Sequence, residues 1–412
     1  MAVWEFNRGE WTEAYVFLRL LGDGRLYGAS VDLVKDEQTY IDIINIIRDE
    51  PDKYLIFERY IKDEVAYVQS YNGDEKLKII TAPELSEKAA YLYNAIKAVT
   101  AGDRKIVVPE IQDYLEELSI DSPKANLSKA AKEKYGAKTD IIVTTEDSFD
   151  HIRTVGGFSI KSHLGSSPTL FNSSSTSGFV YRVVGCDEEG MHKLNYNDSF
   201  LKIIKAIKEN YILEYAGCRN EIFEQNLRMI DWRMDEILSY AMLMQIGYKD
   251  GWKTNSMESM CAALAKENPL GARNPQFFYE SKIKCLLFAS FAGMTATTEW
   301  NGRKKLSGGY IDVDKKGEML YYRAISDDIF ENYLFKHTYI DRPDGGRNKD
   351  MAIAVAKARI DEQRELTSAE KNKIIFKNGK DGQKNSTKED FGYVYQEGEN
   401  FYIVVNFKIR FR

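Results

Sequence analysis

Two consecutive segments constrain this chain more than any other feature. DIIVTTED begins at Asp140, and GGFSIKSHLG reads as a strand over residues 156–162 ended by Gly165. Both are short and apolar, flanked by polar loop residues or glycine, as strands of one sheet are. Side chains alternate between faces along a strand, so Ser159 and Lys161 point the same way. An acid at the head of one strand is thus followed, 21 residues later, by a lysine mid-way along the next. Phosphodiester hydrolysis needs such a set. A hard cation held by carboxylate, carbonyl and water oxygens neutralises developing charge, and a nearby lysine positions and helps deprotonate the attacking water. Spacing alone does not distinguish this from a turn aspartate and a solubilising edge lysine.

The first helix is expected near residues 9–21, GEWTEAYVFLRLL, closed by Gly22. Trp11, Ala14, Phe17, Leu18 and Leu21 form its apolar face. At about 100° per residue, Glu10 points into that sector and Glu13 falls on its edge. A carboxylate facing a core is costly unless paired or bound to a cation, though a first-turn glutamate also favours the helix dipole. A short hairpin (GRLYGASVDLV), a helix (TYIDIINIIRD) and an irregular strand region reach Thr81, with helices over 83–100 and 109–118. Residues 122–138 resemble a linker or surface helix. A Ser/Thr-rich loop, SSPTLFNSSSTSG, leads into the strand FVYRVV. Residues 197–293 read as helical, the longest segment being NLRMIDWRMDEILSYAMLMQI, whose methionines are core filler. Strands GGYIDV and EMLYYRA, then a helix DDIFENYLF, precede a charged protruding stretch over 349–390. The C-terminus, GYVYQEGENFYIVVNFKIRFR, reads as a β-hairpin with Phe407, Ile409 and Phe411 on one face and Lys408, Arg410 and Arg412 on the other.

Composition excludes several classes. With 26 Tyr and 20 Phe the chain carries too much buriable surface for a disordered protein. No apolar run is long enough to span a membrane, and the N-terminus lacks a signal-peptide pattern. The four cysteines form no CxxC pair and read as buried thiols of a cytoplasmic protein. There is no phosphate-binding GxxxxGK[ST] loop, no HExxH and no GxSxG elbow. The net charge of −6 argues at first against a nucleic-acid partner, but it is uneven: residues 1–150 sum to −10 and the remainder to +4.

Four blocks, NRGEWTEAYVFLRLL, GGFSIKSHLGSSPTLFNSSS, GGYIDVDKKGEMLYYRA and VVNFKIRF, resemble the HpaII-type family of Type II restriction endonucleases, in the expected order over nearly the whole chain. The resemblance implies an α/β fold: a PD-(D/E)xK nuclease core, a mixed central sheet flanked by helices, with additional helical and α+β DNA-recognition regions. Residues 1–195 would hold the core, 196–300 a mainly helical region and 301–412 the α+β region. It also implies Mg²⁺ dependence, double-stranded DNA as substrate and a partner methyltransferase in a bacterial cytoplasm. A homodimer is expected on DNA, with a heterodimer of nicking subunits as the alternative. Asp140 would be the metal-binding acid and Lys161 the catalytic lysine. Ser159 departs from the wider pattern, which places an acid there, so a second carboxylate is sought in the first helix. Glu13 is favoured over Glu10. Phosphate contacts are assigned to Arg303, Lys304, Lys305, Lys408, Arg410 and Arg412, and base contacts to Asn172, Ser173, Arg342, Arg347 and Asn348. The site would be short and GC-rich, like CCGG. A DNA-binding protein that has lost catalysis, with Ser159 as the trace, is the rival reading.

Overall fold

Helix α1 (Arg8–Asp23) starts from a reciprocal capping box: the Asn7 side chain accepts from the Glu10 amide, and Glu10 accepts from the Asn7 amide. It ends at Gly24, whose φ of 71° suits glycine, and not at Gly22, which lies within the helix against Ser86. The structure is a computed structural model, and it describes residues 3–99, 105–165, 167–172, 176–197, 199–303, 307–323, 327–343, 348–371 and 392–412.

After α1 come β1 (Arg25–Ala29), β2 (Lys35–Asp49), β3 (Tyr54–Lys62), β4 (Val65–Asn72) and β5 (Glu75–Thr81). Helices α2 (Ala82–Ala98), α3 (Pro109–Glu117) and α4 (Lys129–Tyr135) lead to β6 (Ile141–Asp147) and β7 (Arg153–Ser162). The chain continues through β8 (Thr169–Phe171), β9 (Gly178–Val184), α5 (Glu188–Asn195), α6 (Phe200–Asn210) and β10 (Ile212–Cys218). Four helices follow: α7 (Glu221–Ile230), α8 (Met234–Gln245), α9 (Met257–Glu267) and α10 (Pro275–Phe291). Then come β11 (Gly309–Val313), β12 (Met319–Arg323), α11 (Asp327–His337), β13 (Thr338–Ile340) and α12 (Asn348–Asp361). The strands β14 (Val394–Glu397), β15 (Asn400–Asn406) and β16 (Ile409–Phe411) end it. The fold is mixed α/β.

The chain divides into two compact units. The first, Met1–Pro168 with Lys304–Tyr333, is built on a nine-stranded sheet in the order β1-β12-β11-β7-β6-β2-β3-β4-β5. Because β1 also pairs with β2, six of these strands close a hydrogen-bonded circuit. Strand β7 is interior, antiparallel to β6 and parallel to β11. Helix α1 is buried nearly all round, with Trp11, Phe17, Leu18 and Leu21 packed into one core with Ile41, Phe57, Phe158 and Ile160. The Gly156–Gly157 and Gly308–Gly309 pairs let β7, β11 and the segment before β6 approach closely. A Cβ on Gly157 would lie 2.5 Å from Thr139 Oγ1, and one on Gly156 2.7 Å from the Gly308 Cα.

The second unit, Thr169–Arg303 with Leu334–Arg412, contains a sheet in the order β10-β9-β15-β14 and a smaller one, β13-β16-β8, with helices around them. Phe171, Phe179, Phe223 and Phe407 form its aromatic centre, with ring centroids 5.5–6.3 Å apart.

Several expectations are corrected. TYIDIINIIRD is strand, the second half of β2. A register shift between Ile43 and Asn45 against β6 puts Ile41, Ile43 and Ile46 into the core, and that bulged spacing imitates a helical stripe. The stretch 197–293 is interrupted by strand β10, antiparallel to β9. The Met-rich segment is two helices, broken where Asp231 adopts an extended backbone and its carboxylate holds the Arg233 amide at 2.9 Å and Lys282 at 2.7 Å. The C-terminal hairpin is β14–β15 only, and β16 joins the other sheet. The four cysteines are free thiols, but only Cys261 is buried. Residues 372–390 of the charged stretch lie outside the described residues. Among the described residues, no helix is long and apolar enough to cross a membrane.

Candidate active site

The sheet ladder itself places Asp140. Its amide donates to Phe158 O at 2.9 Å as β6 and β7 begin to pair. The next amide on that edge of β7, Ile160 N, reaches beyond the start of β6. The Asp140 carboxylate takes the missing acceptor's place, with Oδ2 at 2.7 Å from Ile160 N. The same oxygen accepts from the Ser159 hydroxyl at 3.1 Å, and Ser159 accepts from Lys161 Nζ at 2.9 Å. Lys161 Nζ also donates to Ile160 O at 3.2 Å and lies 3.9 Å from Asp140 Oδ2. Ser159 is buried, and its hydroxyl links the acid and the ammonium.

Helix α1 brings a second carboxyl to this group. Burial, together with the Asp140 charge, pushes the Glu13 carboxyl up to about 9, against the pulls of Lys124 and Lys161. No described residue gives Glu13 a hydrogen bond. Glu10, one turn earlier, has both oxygens engaged: Oε2 by the Asn7 amide at 3.0 Å and Oε1 by Lys124 Nζ at 2.6 Å. Although burial alone would raise it, those bonds hold Glu10 below its ordinary value.

Two further lysines belong here that strand and helix patterns did not single out. Lys124 stands on the loop after α3. Buried Arg48 anchors that loop by donating to Ser122 O at 3.0 Å and Lys124 O at 2.8 Å, while pairing with Glu50 at 2.8 Å. Lys138 lies close to Asp140 and Lys161, and its pKa is lowered by burial and then by the Lys161 charge. Its position two residues before Asp140 is the one sequence signal that could have marked it. Lys124 is brought in by long-range packing, and no local pattern foretells that.

The donor chemistry suits a hard cation. Asp140 Oδ1 and the Glu13 carboxyl take no hydrogen bond from a described residue, and the Ile160 carbonyl accepts from Lys161 Nζ at 3.2 Å. Among the described residues no group of three or more His, Cys, Asp or Glu gathers as a metal nest. The side chains that could hold a cation here are two carboxyls, Asp140 and Glu13.

The recognition candidates stand in the second unit. Asn172 is exposed just past β8, and Arg342 is exposed just past β13. Strand β16 between them carries Arg410, with Lys408 just ahead of it, so the small sheet gathers three predicted segments. Asp341 partly neutralises them, 2.7 Å from Arg410 and 3.5 Å from Lys408. Arg412 donates to Asn255 O at 2.7 Å. Arg303 is exposed on a separate loop. Ser173, Lys304, Lys305 and Arg347 lie outside the described residues, as does the side chain of Asn348.

An acid–serine–lysine chain on paired strands, with a second carboxyl from a buried helix, offers the oxygen donors and positive charge that phosphodiester hydrolysis draws on. The sequence profile of the HpaII restriction endonuclease family matches residues 7–354, and the chain belongs to that family. It is a Type II site-specific deoxyribonuclease, an enzyme class that binds DNA and generally needs a divalent metal. Among curated proteins it is similar to the Type II restriction enzyme HpaII of Haemophilus parainfluenzae, with 28% identity over 408 residues covering 98% of both chains. No solved structure matches.

Proposed function

We propose that the chain cleaves double-stranded DNA at a short GC-rich site, such as CCGG, by Mg²⁺-dependent phosphodiester hydrolysis on a PD-(D/E)xK-type core. One observation carries this reading: Asp140, Ser159 and Lys161 are joined by hydrogen bonds at one place on the nine-stranded sheet, within electrostatic reach of the Glu13 carboxyl on α1. Asp140 and Glu13 would hold the cation. When bound, Mg²⁺ supplies positive charge against the negative charge that builds on the scissile phosphate.

The chain's own groups do the rest. Ser159 and the Ile160 amide fix the Asp140 carboxylate, so it needs no reorganisation when the substrate arrives. Lys161, held by Ser159 and Ile160 O, orients the water for in-line attack and stabilises its deprotonated form. Breaking the P–O3′ bond leaves 5′-phosphate and 3′-hydroxyl ends. Lys138 and Lys124 place further positive charge beside the phosphate path. The residues over 166–177, Arg342 and the basic face of β16 would contact DNA, and two copies of the chain would cut the two strands. A methyltransferase protecting the same site completes the proposal.

Plasmid DNA incubated with the protein in Mg²⁺ or in EDTA tests it. Discrete fragments in Mg²⁺ alone are expected, and sequencing their ends reads the site and the cut position. Intact plasmid in Mg²⁺, with salt-sensitive binding retained, would favour the rival in which Ser159 marks lost catalysis.

A further inference from the structure

Asp312 is buried at 3% exposure on β11, directly opposite Lys161 in the parallel register. Its Oδ1 accepts from Tyr310 at 2.7 Å and from Tyr333 at 3.3 Å, and lies 3.1 Å from His163 Nε2. The two tyrosine hydroxyls are themselves bonded at 3.0 Å. Two of the sequence blocks that mark the family, SIKSHLG and GGYIDV, therefore meet here through polar atoms that the hydrolytic set does not use. Burying a carboxylate is costly unless donors surround it, and an apolar residue would pack this position at least as well. The cluster fixes one thing that reaches the surface: the His163 imidazole, whose side chain is 14% exposed. Since a carboxylate only accepts, Nε2 carries the proton in that bond and Nδ1 is directed elsewhere.

The backbone says where. His163 N donates to Val313 O at 2.9 Å, which continues the β7–β11 ladder past Ser162. Registered residues of parallel strands share a face, so Asp312, Lys161 and His163 stand on the same side of the sheet. Residues two apart on a strand are about 7 Å apart, comparable to the step between successive phosphates along one DNA strand.

We propose that His163, held by Asp312, contacts the phosphate adjacent to the scissile one as an imidazolium that has taken up a proton from solvent, with Nδ1–H donating to a phosphate oxygen while Nε2–H donates to Asp312. Asp312, Tyr310 and Tyr333 are positioning residues for that contact. The inference rests on the reading that the Lys161 face receives the DNA.

The test measures binding in EDTA to a duplex carrying the site mapped from the enzyme's own fragments. The duplex is made with all phosphates, or with a single neutral methylphosphonate at the phosphate on either the 5′ or the 3′ side of the scissile one. His163→Ala should weaken binding to the all-phosphate duplex roughly tenfold, as loss of one charge-assisted hydrogen bond does. The loss should vanish on one of the two methylphosphonate duplexes, where wild type and variant bind alike. His163→Gln keeps a donor for Asp312 but lacks Nδ1, and should bind as poorly as His163→Ala. Wild-type binding by His163→Gln, or the same loss on every duplex, would reduce the cluster to a structural brace and overturn the proposal. Failure of the nuclease reading shows separately, as wild-type protein that leaves plasmid uncut in Mg²⁺.

Discussion

At the scale of single residues, the two glutamates of α1 divide their work. The Glu13 carboxyl, raised from 4.5 to about 9, keeps a proton in the folded chain that the unfolded chain releases. Between those values the folded state binds more protons, so the metal-free protein should lose stability as pH rises from about 5 towards 9. Glu13→Gln should flatten that slope in denaturant titrations; an unchanged slope would remove Glu13 from its assigned environment. A cation must displace the same proton. Its apparent affinity should therefore climb by up to about tenfold per pH unit below 9, with one proton released in calorimetric titrations in buffers of different ionisation heat. Glu10→Ala removes a capping box and a partly exposed ion pair, and should cost about 1 kcal/mol while the metal response persists.

Elements carry the next level. Gly157 sits on β7 against Thr139, the residue before Asp140, and an alanine there must push Thr139 or Tyr135 away. Gly157→Ala should cost roughly 1–3 kcal/mol and lower the cleavage rate, because the displaced segment carries Asp140. A rate equal to wild type would mean the segment yields without moving the acid. Arg48→Ala leaves Glu50 with the Asn126 amide at 3.4 Å and Lys53 at 3.8 Å and frees the loop of Lys124, so a loss of about 3 kcal/mol is expected in urea unfolding. These elements also show what was legible in the sequence. That Ser159 and Lys161 share a face was readable because strand alternation is local, whereas joining them to Asp140 took the family resemblance, and Glu13's edge position was readable from helical rotation. The strand nature of β2 was hidden by a bulge whose cause lies in its partner β6. Lys124 and the Asp312–His163 contact depend on packing across 114 and 149 residues, where no periodicity reaches.

For the whole molecule, charge distribution matters more than the total of −6. The acidic first 150 residues include the carboxyls proposed to hold the cation, and the basic C-terminal strand stands among the recognition candidates. DNA affinity should fall steeply with salt despite the negative net charge, as phosphate contacts release counterions. The account as a whole turns on Lys161, the group proposed to connect the Ser159–Asp140 chain to the attacking water. Lys161→Ala should be compared with wild type in single-turnover cleavage of the mapped duplex in Mg²⁺, with binding to the same duplex measured in EDTA. A rate lower by roughly 10²–10⁴-fold, with affinity within a few-fold of wild type, is the predicted result. Cleavage by Lys161→Ala at a near wild-type rate would place the catalytic centre elsewhere and contradict the account.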